Sequence, residues 1–445
     1  MKFPPFFLDD WQCKILGSPP LQKLAAYQLA ALNKTLAHAK KNSRFYRTHL
    51  KGVEEIDGFE AFEQLPFTLP LDIREKSSWF LAVSQDKIAR IVTLETSGTT
   101  APPKRLFFTD WDLDVTIGFF SRVLSRLTRP KERALILLPG NTPGSAGDLL
   151  KTALARIGVK GIVPGIIRDF NETLDLLSTH TPSLIIGLPV QVMALGELMH
   201  KGSHRLTSVR HIILTSDSVC HVLKQRVENS FGCPVFDHYG MTETGFGGGI
   251  DCFAHGGYHL RETDLYFEII DPNTGMAVPV GSWGEIVVTT LNHRGMPLIR
   301  YRTGDVSRFI NEPCPCKSPF RRMDYIRYRL AHILVLPNGQ CLGLTDLDEL
   351  LFKIPGVLDF DVSLIPGLGV DLKMEILIKT NDQEMIRPGD IGKILTRSPL
   401  LQPAIDSGAL VLGSIQTAAF EFKDTYRGKR RIEALPKLPG KIHFQ

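Results

Sequence analysis

Apolar side chains near the start of the chain recur at helical spacing. They stand between Lys and Gln residues in the stretch 20–41, at Leu21, Leu24, Ala25, Leu32, Leu36 and Ala39. Positions three and four apart fall on one side of a helix, so the pattern predicts an amphipathic helix. We expect this helix to belong to the scaffold.

From about residue 88 to 290, short β-branched runs alternate with helix-like segments. The runs are ALILLPG (134–140), SLIIGLP (183–189), HIILTSD (211–217) and CPVFDHYG (233–240). Continuous apolar runs are typical of strands covered on both faces, and their alternation with helices predicts a largely parallel sheet. Such sheets bind ligands beyond their strand ends.

After Asp324 the pattern becomes that of a compact α+β unit. Strand-like HILVLPNG (332–339) is followed by the helical TDLDELLFKI (345–354), in which Thr345 and Asp348 suit a capping box. Strand-like DFDVSLI and KMEILIKT come next. The fold class predicted is α/β, with a large domain over 1–323 and a small domain over 324–445.

Composition narrows the class of protein. The chain has 445 residues, of which 43% are hydrophobic and 22% charged, and a formal net charge of +5. Lys and Arg are dispersed among Asp and Glu, which argues against a nucleic-acid partner. The start MKFPPFFLDD does not fit a signal peptide, and no run of about 18 apolar residues indicates a membrane span. Seven cysteines do not suit a disulfide framework, so we expect a cytoplasmic protein.

The densest chemical signal is TLETSGTTAPPK, residues 93–104. A β-like run ends there in hydroxyl groups, a glycine and a lysine, which are the components of a phosphate-binding loop. The residues expected to contact the phosphates are Thr96, Ser97, Gly98, Thr99, Thr100 and Lys104. A Ser/Thr/Gly tract alone is more often a polar surface loop, so neighbouring motifs must decide.

Two further motifs place polar groups after strand-like runs. In DHYGMTE (237–243), Tyr239 suits packing on a base, Thr242 a phosphate contact and Glu243 a Mg²⁺ ion. In YRTGD (301–305), Asp305 follows a glycine and has two oxygens for the hydroxyls of a ribose. Taken singly, each is also an ordinary strand or turn sequence.

In this order, and followed by RRMD (321–324) and RGKRR (427–431), the three motifs resemble the adenylate-forming superfamily of acyl-CoA synthetases, luciferases and adenylation domains. Within it the chain is most similar to the phenylacetate-CoA ligase family, because NSRFYR (42–47) and LPFTLPLDIRE (65–75) match that family's lead-in. The resemblance covers nearly the whole chain.

The resemblance implies a role for each motif. The 93–104 loop closes over the phosphates of ATP, and Ser216 and Asp217 in TSDS touch adenine. The segment Asp237, His238, Tyr239, Gly240 and Met241 lies against the nucleotide. Thr242 meets the α-phosphate, Glu243 holds Mg²⁺, and Asp305 and Arg322 hold the ribose. Asp324 is the hinge to a mobile domain, and Lys429 is the catalytic lysine that this domain carries.

The implied reaction is the ATP-dependent activation of a small carboxylic acid, aryl or arylacetic, followed by transfer to coenzyme A. The resemblance also suggests a homodimer. The chain departs from the family's sequence pattern in three places. Ala101 and Arg321 replace usual glycines, and RYRLAHI (327–333) lacks the glycine of a turn that in the family shapes the thiol tunnel. A carrier-protein or amine acceptor therefore stays open, as does a non-catalytic nucleotide-binding protein.

A second cluster suggests a metal site. Cys252, His255 and His259 flank two glycines in a predicted hairpin, and Cys314 and Cys316 follow about sixty residues later. Thiolate and imidazole ligands in two such groups can close a tetrahedral structural zinc site, completed by one of the two histidines. Reduced thiols and loop histidines are the alternative.

Overall fold

The structure is a computed structural model that describes residues 6–94, 103–204, 207–336, 340–366, 372–424, 430 and 432–434. Its helices are α1 (Asp9–Leu16), α2 (Pro20–Asn42), α3 (Arg44–His49), α4 (Phe59–Glu63), α5 (Pro70–Lys76), α6 (Asp110–Leu127), α7 (Ala146–Arg156), α8 (Phe170–His180), α9 (Pro189–Lys201), α10 (His221–Phe231), α11 (Leu344–Leu351), α12 (Pro388–Thr396) and α13 (Gln402–Asp406).

The strands are β1 (Ile88–Leu94), β2 (Lys104–Thr109), β3 (Arg133–Leu137), β4 (Lys160–Ile162), β5 (Leu184–Gly187), β6 (His211–Thr215), β7 (Val235–Tyr239), β8 (Gly249–Ile250), β9 (Tyr258–Leu260), β10 (Leu265–Ile270), β11 (Gly284–Thr290), β12 (Tyr301–Ser307), β13 (Phe309–Ile310), β14 (Arg322–Met323), β15 (Tyr328–Arg329), β16 (Leu334–Val335), β17 (Cys341–Leu342), β18 (Asp359–Pro366), β19 (Leu372–Thr380), β20 (Leu410–Ala419) and β21 (Glu433–Ala434).

These elements confirm the α/β class and most of the predicted segments. Helix α2 occupies the first amphipathic stretch, and the four apolar runs contain β3, β5, β6 and β7. The prediction of a capping box at Thr345 and Asp348 is wrong. Helix α11 begins at Leu344 because the carboxylate of Asp346 accepts the N–H of Gly343 at 2.8 Å, and the Asp348 side chain is buried.

The chain divides into two compact units. The first comprises Met1–Gly165 and Phe236–Tyr325, and the second comprises Ile166–Val235 and Ile326–Gln445. The predicted division into 1–323 and 324–445 stays a prediction. None of the described helices combines the length and the apolar surface that crossing a bilayer requires.

In the first unit, parallel and antiparallel pairing occur side by side. Strands β3 and β4 are parallel, whereas β7, β8, β9, β14 and β13 pair antiparallel in that order. Strands β10, β11 and β12 form an antiparallel group, and β1 pairs antiparallel with β2. The prediction of a largely parallel sheet is therefore confirmed only for part of the strands.

The NSRFYR motif helps to build the core of the first unit. The hydroxyl of Ser43 accepts the N–H of Tyr46 at the start of α3, and the ring of Phe45 stacks on Phe80 with 4.0 Å between centroids. The Tyr46 hydroxyl is fully buried and accepts the N–H of Ile299 at 2.9 Å. This motif therefore ties α3 to the segment that leads into β12.

In the second unit, β5 and β6 are parallel. Strands β20, β19, β18 and β21 form a sheet in that order, with β18 and β19 antiparallel and both outer pairs parallel. Arg226 of α10 donates to the carbonyls of Phe352 and Val357, at 3.2 and 2.7 Å. These bonds join α10 to the chain that follows α11.

Candidate active site

The phosphate-loop motif connects the paired strands β1 and β2. Thr96, Ser97, Gly98, Thr99 and Thr100 lie outside the described residues. On either side of them the two strands pair, with Leu94 opposite Lys104. The hairpin therefore fixes both ends of the motif, and Lys104 is its described site residue.

Lys104 contacts a carboxylate from a distant part of the chain. Its ammonium group forms an ion pair and hydrogen bond with Glu243 and donates to the hydroxyl of Tyr301 at 2.6 Å. The Tyr301 hydroxyl in turn donates to Glu243 at 3.2 Å. The side chains of Lys104 and Glu243 are each only 10% exposed. Three segments thus bring a cation, an anion and a phenol together at a position that is largely shielded from solvent.

Tyr301 is the site residue that sequence reasoning missed. Burial and the neighbouring Glu243 carboxylate raise the pKa of its phenol well above the ordinary value, so the hydroxyl stays protonated and can donate. The signal was present in YRTGD. Tyr301 begins this motif and β12, four residues before the predicted ribose residue Asp305.

Asp305 meets Tyr239 near the same cluster. The Tyr239 hydroxyl donates to the Asp305 carboxylate at 3.2 Å, and both residues are buried. Gly304 has a φ of 75°, a left-handed conformation that favours glycine, and the hydroxyl of Thr303 accepts the N–H of Asp305 at 3.1 Å. The structure therefore brings together Lys104, Glu243, Tyr239 and Asp305 of the predicted residues.

The other residues of the DHYGM segment face different neighbours. The Asp237 carboxylate accepts the Tyr258 hydroxyl at 2.6 Å. The ring of His238 lies 5.3 Å from that of Phe120, and burial, helped by the charge of Arg261, lowers its pKa to about 4. Asp237 and His238 therefore point to opposite sides of β7.

Gly240 and Met241 shape the turn that leads to Thr242 and Glu243. A Cβ atom at Gly240 would lie 2.0 Å from the carbonyl oxygen of Phe246, so only glycine fits there. The Met241 carbonyl accepts the N–H groups of Thr244 and Phe246, at 3.1 and 2.9 Å. This turn sets a short 3₁₀ helix, Thr242–Thr244, which carries the predicted phosphate and metal residues.

Ser216 and Asp217 follow β6 and belong to the second unit. Ser216 has a φ of 74°, a conformation uncommon for a residue with a side chain. The Asp217 carboxylate accepts the N–H of Ser218 at 2.9 Å. The predicted adenine segment is therefore a tight turn at a strand end.

Arg322 and Asp324 lie at the end of the first unit. The Arg322 guanidinium donates to the carbonyls of Gly256 and Glu312, which lie in the two cysteine-bearing segments. Asp324 pairs with Arg308 at 2.9 Å and accepts the N–H of Tyr325 at 2.9 Å. The ribose and hinge roles stay predictions.

The departure at Arg321 has a structural explanation. Its guanidinium donates to Glu262 at 2.6 Å, and its N–H bonds to the other oxygen of the same carboxylate at 3.0 Å. Glu262 is fully buried. The arginine therefore neutralises a carboxylate that is held away from water.

The cysteines and one histidine converge. The side-chain ligand atoms of Cys252, His259, Cys314 and Cys316 all lie within 4.8 Å of one another, and all four residues are buried. The sulfurs of Cys252 and Cys314 are 3.6 Å apart, and Nε2 of His259 is 3.4 Å from the sulfur of Cys316. Burial, with the charge of Arg322, lowers the pKa of His259 to about 3, so its ring is neutral.

His255 takes another partner. Its Nδ1 lies 2.8 Å from the Asp251 carboxylate, and the side chain is 31% exposed. His259 stands on β9, opposite Ile250 of β8, in the predicted hairpin. Of the two candidate histidines, the structure brings His259 to the cysteines.

The predicted catalytic Lys429 lies outside the described residues. Its neighbour Arg430 is described and donates to the Asp348 carboxylate at 2.7 Å, within the second unit. The role of Lys429 stays a prediction.

Known proteins define the class of this chain and then its family. A family model described as AMP-binding enzyme matches residues 51–292, more than half of the chain, so the chain is an AMP-binding enzyme. Phenylacetate-coenzyme A ligase of Aromatoleum evansii is 30% identical over 75% of this chain and 76% of its own length. The enzyme of the same name from Thermus thermophilus is 28% identical, covering 77% and 78%. This chain belongs to the phenylacetate-coenzyme A ligase-like family.

A solved structure supports the same fold. The 2-hydroxyisobutyryl-CoA ligase, captured in its postadenylation state with an acyl-AMP, superposes with a TM-score of 0.77. The match covers 90% of this chain and 87% of that one, at 18% identity. The adenylate-forming fold predicted from the motifs is therefore confirmed.

Proposed function

We propose that this chain uses ATP to convert a carboxylic acid to its acyl-adenylate and then transfers the acyl group to the thiol of coenzyme A. One observation carries the proposal: motifs about 140 and 200 residues apart in the chain meet as Lys104, Glu243 and Tyr301, next to Tyr239 and Asp305. Family membership supplies the reaction class, since the relatives named above are acid-thiol ligases.

The first step joins two anions. A carboxylate oxygen attacks the α-phosphorus, a new O–P bond forms, and the bond to the β-phosphate breaks to release pyrophosphate. Mutual repulsion makes positioned cations more useful than a general base. Lys104 supplies one cation from the first unit, and we assign Lys429 the second, next to the carboxylate and the α-phosphate. Asp305 and Tyr239 suit the ribose and the base.

The magnesium site is assigned to Glu243. A carboxylate that is only 10% exposed fits a cation that binds through one or two protein oxygens and phosphate oxygens. When bound, Mg²⁺ would neutralise phosphate charge at this position. Tyr301 and Lys104 both donate to Oε1 of Glu243. These two bonds limit rotation of the Glu243 side chain.

In the second step a thiolate attacks the acyl carbonyl, a C–S bond forms, and AMP leaves as the mixed anhydride breaks. The acid is proposed to be aryl or arylacetic, since the relatives' names specify phenylacetate. In the segment that departs from the family turn, Tyr328 packs against Gly343, and its hydroxyl lies 3.4 Å from Asp346. The glycine that is missing from this segment motivates the alternative acceptors, a carrier-protein thiol or an amine.

Acid-dependent exchange of labelled pyrophosphate into ATP tests the first step. We expect exchange with at least one acid from an aryl and arylacetic panel, and its loss in Lys429→Ala. Lys423→Ala is the matched control, because Lys423 is an exposed lysine of the same carboxyl-terminal stretch. Absence of exchange with every acid would favour the nucleotide-binding alternative. Exchange that survives in Lys429→Ala would remove the catalytic assignment.

The acceptor is tested separately. The acyl-adenylate of the accepted acid is offered with coenzyme A, with a phosphopantetheinylated carrier protein, or with an amine, and AMP release is measured. Rapid AMP release only with coenzyme A is expected. Release only with one of the other two acceptors would replace coenzyme A in the proposal.

We further propose a structural zinc ion at Cys252, His259, Cys314 and Cys316. In a tetrahedral site with Zn–S bonds of about 2.3 Å, ligand sulfurs lie about 3.8 Å apart. The two sulfurs of Cys252 and Cys314, 3.6 Å apart, are close to that separation, and all four ligand atoms lie within 4.8 Å of one another, so small side-chain adjustments would bring them to one ion. The site would join the β8–β9 hairpin to the loop before β14. Metal analysis of the purified chain should give one zinc per chain, reduced in Cys316→Ser and retained in Cys233→Ser, a buried cysteine outside the cluster.

A homodimer and a cytoplasmic location also stay predictions. Sedimentation of the purified chain and fractionation of the source cells measure them directly.

A further inference from the structure

The ammonium group of Lys104 and the carboxylate of Glu243 neutralise each other inside the candidate active site. The ammonium contacts Oε1 of Glu243, and each side chain is only 10% exposed. It also donates to the Tyr301 hydroxyl at 2.6 Å and lies 5.0 Å from the centroid of that ring. The Tyr301 hydroxyl donates to the same Oε1 at 3.2 Å. One carboxylate oxygen is therefore shared by a cation and a neutral donor.

The same carboxylate carries the proposed magnesium site, so two cations have a claim on it. Mg²⁺ binds carboxylate oxygens at about 2.1 Å, and an ammonium group lies about 2.8 Å from the oxygen that accepts its hydrogen bond. A divalent ion at either oxygen of Glu243 would therefore lie within a few ångströms of the Lys104 ammonium. Like charges so close together repel strongly where water is largely excluded. Glu243 cannot hold both cations at full strength.

Lys104 is placed to change its partner. It is the first residue of β2, and its backbone is fixed opposite Leu94 directly after the phosphate-loop motif. A lysine carries a compact charge on a flexible stem, so the ammonium can move while the backbone stays. The Tyr301 hydroxyl gives the ammonium a partner besides Glu243. Release of the carboxylate therefore does not leave a buried cation alone, which would be costly.

We propose that Lys104 competes with a divalent cation for Glu243, and that it releases this carboxylate only to metal-bound ATP, whose phosphates it then pairs with. This inference rests on the proposed function. The exchange keeps every charge paired, because the carboxylate passes from the ammonium to the metal while the ammonium passes from the carboxylate to a phosphate. A metal ion without nucleotide offers Lys104 no such partner. Lys104 thus makes the site select metal-bound nucleotide over the free metal ion.

Binding measurements without any acid test this exchange, since they require no chemical step. Mn²⁺ is the probe, because it takes the same oxygen ligands as Mg²⁺, and the loss of its free electron paramagnetic resonance signal gives its dissociation constant. In Lys104→Met at pH 8, where a glutamate is ionised, Mn²⁺ alone should bind about tenfold tighter or more, because the competing cation is gone. ATP in excess Mg²⁺ should bind about tenfold weaker, because its phosphates lose a cation. A merely structural defect would weaken both.

Two further variants locate the effect. In the double variant Lys104→Met and Glu243→Gln, Mn²⁺ should bind no tighter than to wild type, because the carboxylate is gone. Lys373→Met is the matched control for the loss of a paired lysine. Lys373 lies on β19 and bonds to Glu375 at 2.9 Å, with the two side chains 45% and 35% exposed. This control should leave both dissociation constants at their wild-type values.

If Lys104→Met does not fold, Lys104→Gln carries the same test, since its amide can still donate to Glu243 without a charge. The competition is overturned if these variants bind Mn²⁺ no tighter than wild type, or if the tighter binding survives in the double variant. Wild-type affinity for ATP would overturn the transfer of the ammonium to the phosphates. A wild-type chain that exchanges pyrophosphate with no acid would instead overturn the proposed function.

Discussion

Removal of one hydroxyl group, in Tyr301→Phe, tests the cluster at the candidate active site. The ring and its packing stay, and the Lys104–Glu243 ion pair keeps both partners. What is lost is the acceptor for Lys104 at 2.6 Å and the donor to Glu243 at 3.2 Å. The first bond is slightly shorter than is usual for an N–H donor and the second is slightly longer than is usual for an O–H donor, so most of the effect should come from the bond to Lys104.

The expected magnitude follows from the charge of the partners. A hydrogen bond to a charged group contributes about 1.5–3 kcal/mol, which corresponds to roughly a 10- to 100-fold fall in kcat/KM if the bond is used in the transition state. Pyrophosphate exchange at varied ATP concentration measures this, with the melting temperature recorded in parallel.

Tyr46→Phe provides the control. Its hydroxyl is also fully buried, but it accepts the N–H of Ile299 and bonds to the hydroxyl of Thr68, both neutral partners. It should cost about 1 kcal/mol of folding free energy and leave kcat/KM unchanged. Exchange kinetics of Tyr301→Phe indistinguishable from wild type would show that this hydroxyl does not serve the reaction.

The remaining predictions concern charge, pH and metal. Glu243→Gln keeps the size of the side chain but not its charge, and should raise the Mg²⁺ concentration for half-maximal exchange roughly tenfold or more; an unchanged Mg²⁺ titration would remove the metal assignment. The pKa of His238 is lowered from 6.5 to about 4, so the unfolded chain binds a proton that the folded chain does not, and about 3 kcal/mol of stability present above pH 6.5 should be lost as the pH falls to 4. Chemical denaturation at several pH values should show that His238→Gln loses less stability than wild type as the pH falls. Equal pH dependence of stability in the two proteins would contradict this linkage. A strong zinc chelator should lower the melting temperature of wild type and of Cys233→Ser, whereas Cys316→Ser should melt lower already and not respond; no effect on wild type would argue for plain thiols.

Local sequence patterns predicted the elements well, because burial imposes a pattern that a single segment reveals. Helix α2 shows the helical period, and strands β5 and β6 show the unbroken apolar run of a buried strand. The predicted start of α11 was wrong because several residues in this segment can cap a helix. The helix begins where it does because the Asp346 carboxylate reaches the N–H of Gly343. Local propensity does not rank such alternatives.

Contacts between distant segments could not be predicted in the same way. The motif resemblance named Glu243 and Lys104 separately, but their ion pair and the hydroxyl between them depend on how β2 and β12 are placed. Spacing alone also could not choose His259 over His255, because that choice depends on the register of the β8–β9 hairpin. The Arg430–Asp348 pair joins residues 82 positions apart and leaves no local pattern.

The irregularity in β12 limits how this protein can change in length. Arg302 lies opposite Val287 and Val306 lies opposite Glu285, so three residues of β12 stand against one residue of β11, and Gly304 among them has a φ of 75°. Asp305 belongs to this bulge, whereas Tyr301 belongs to the regular part of the strand. Bulges re-aim the side chains that they carry, so the loss or gain of one residue here would move Asp305 relative to Tyr301. Mutant libraries at this strand should therefore keep the residue count, and length variation among its homologues should fall in the loops on either side.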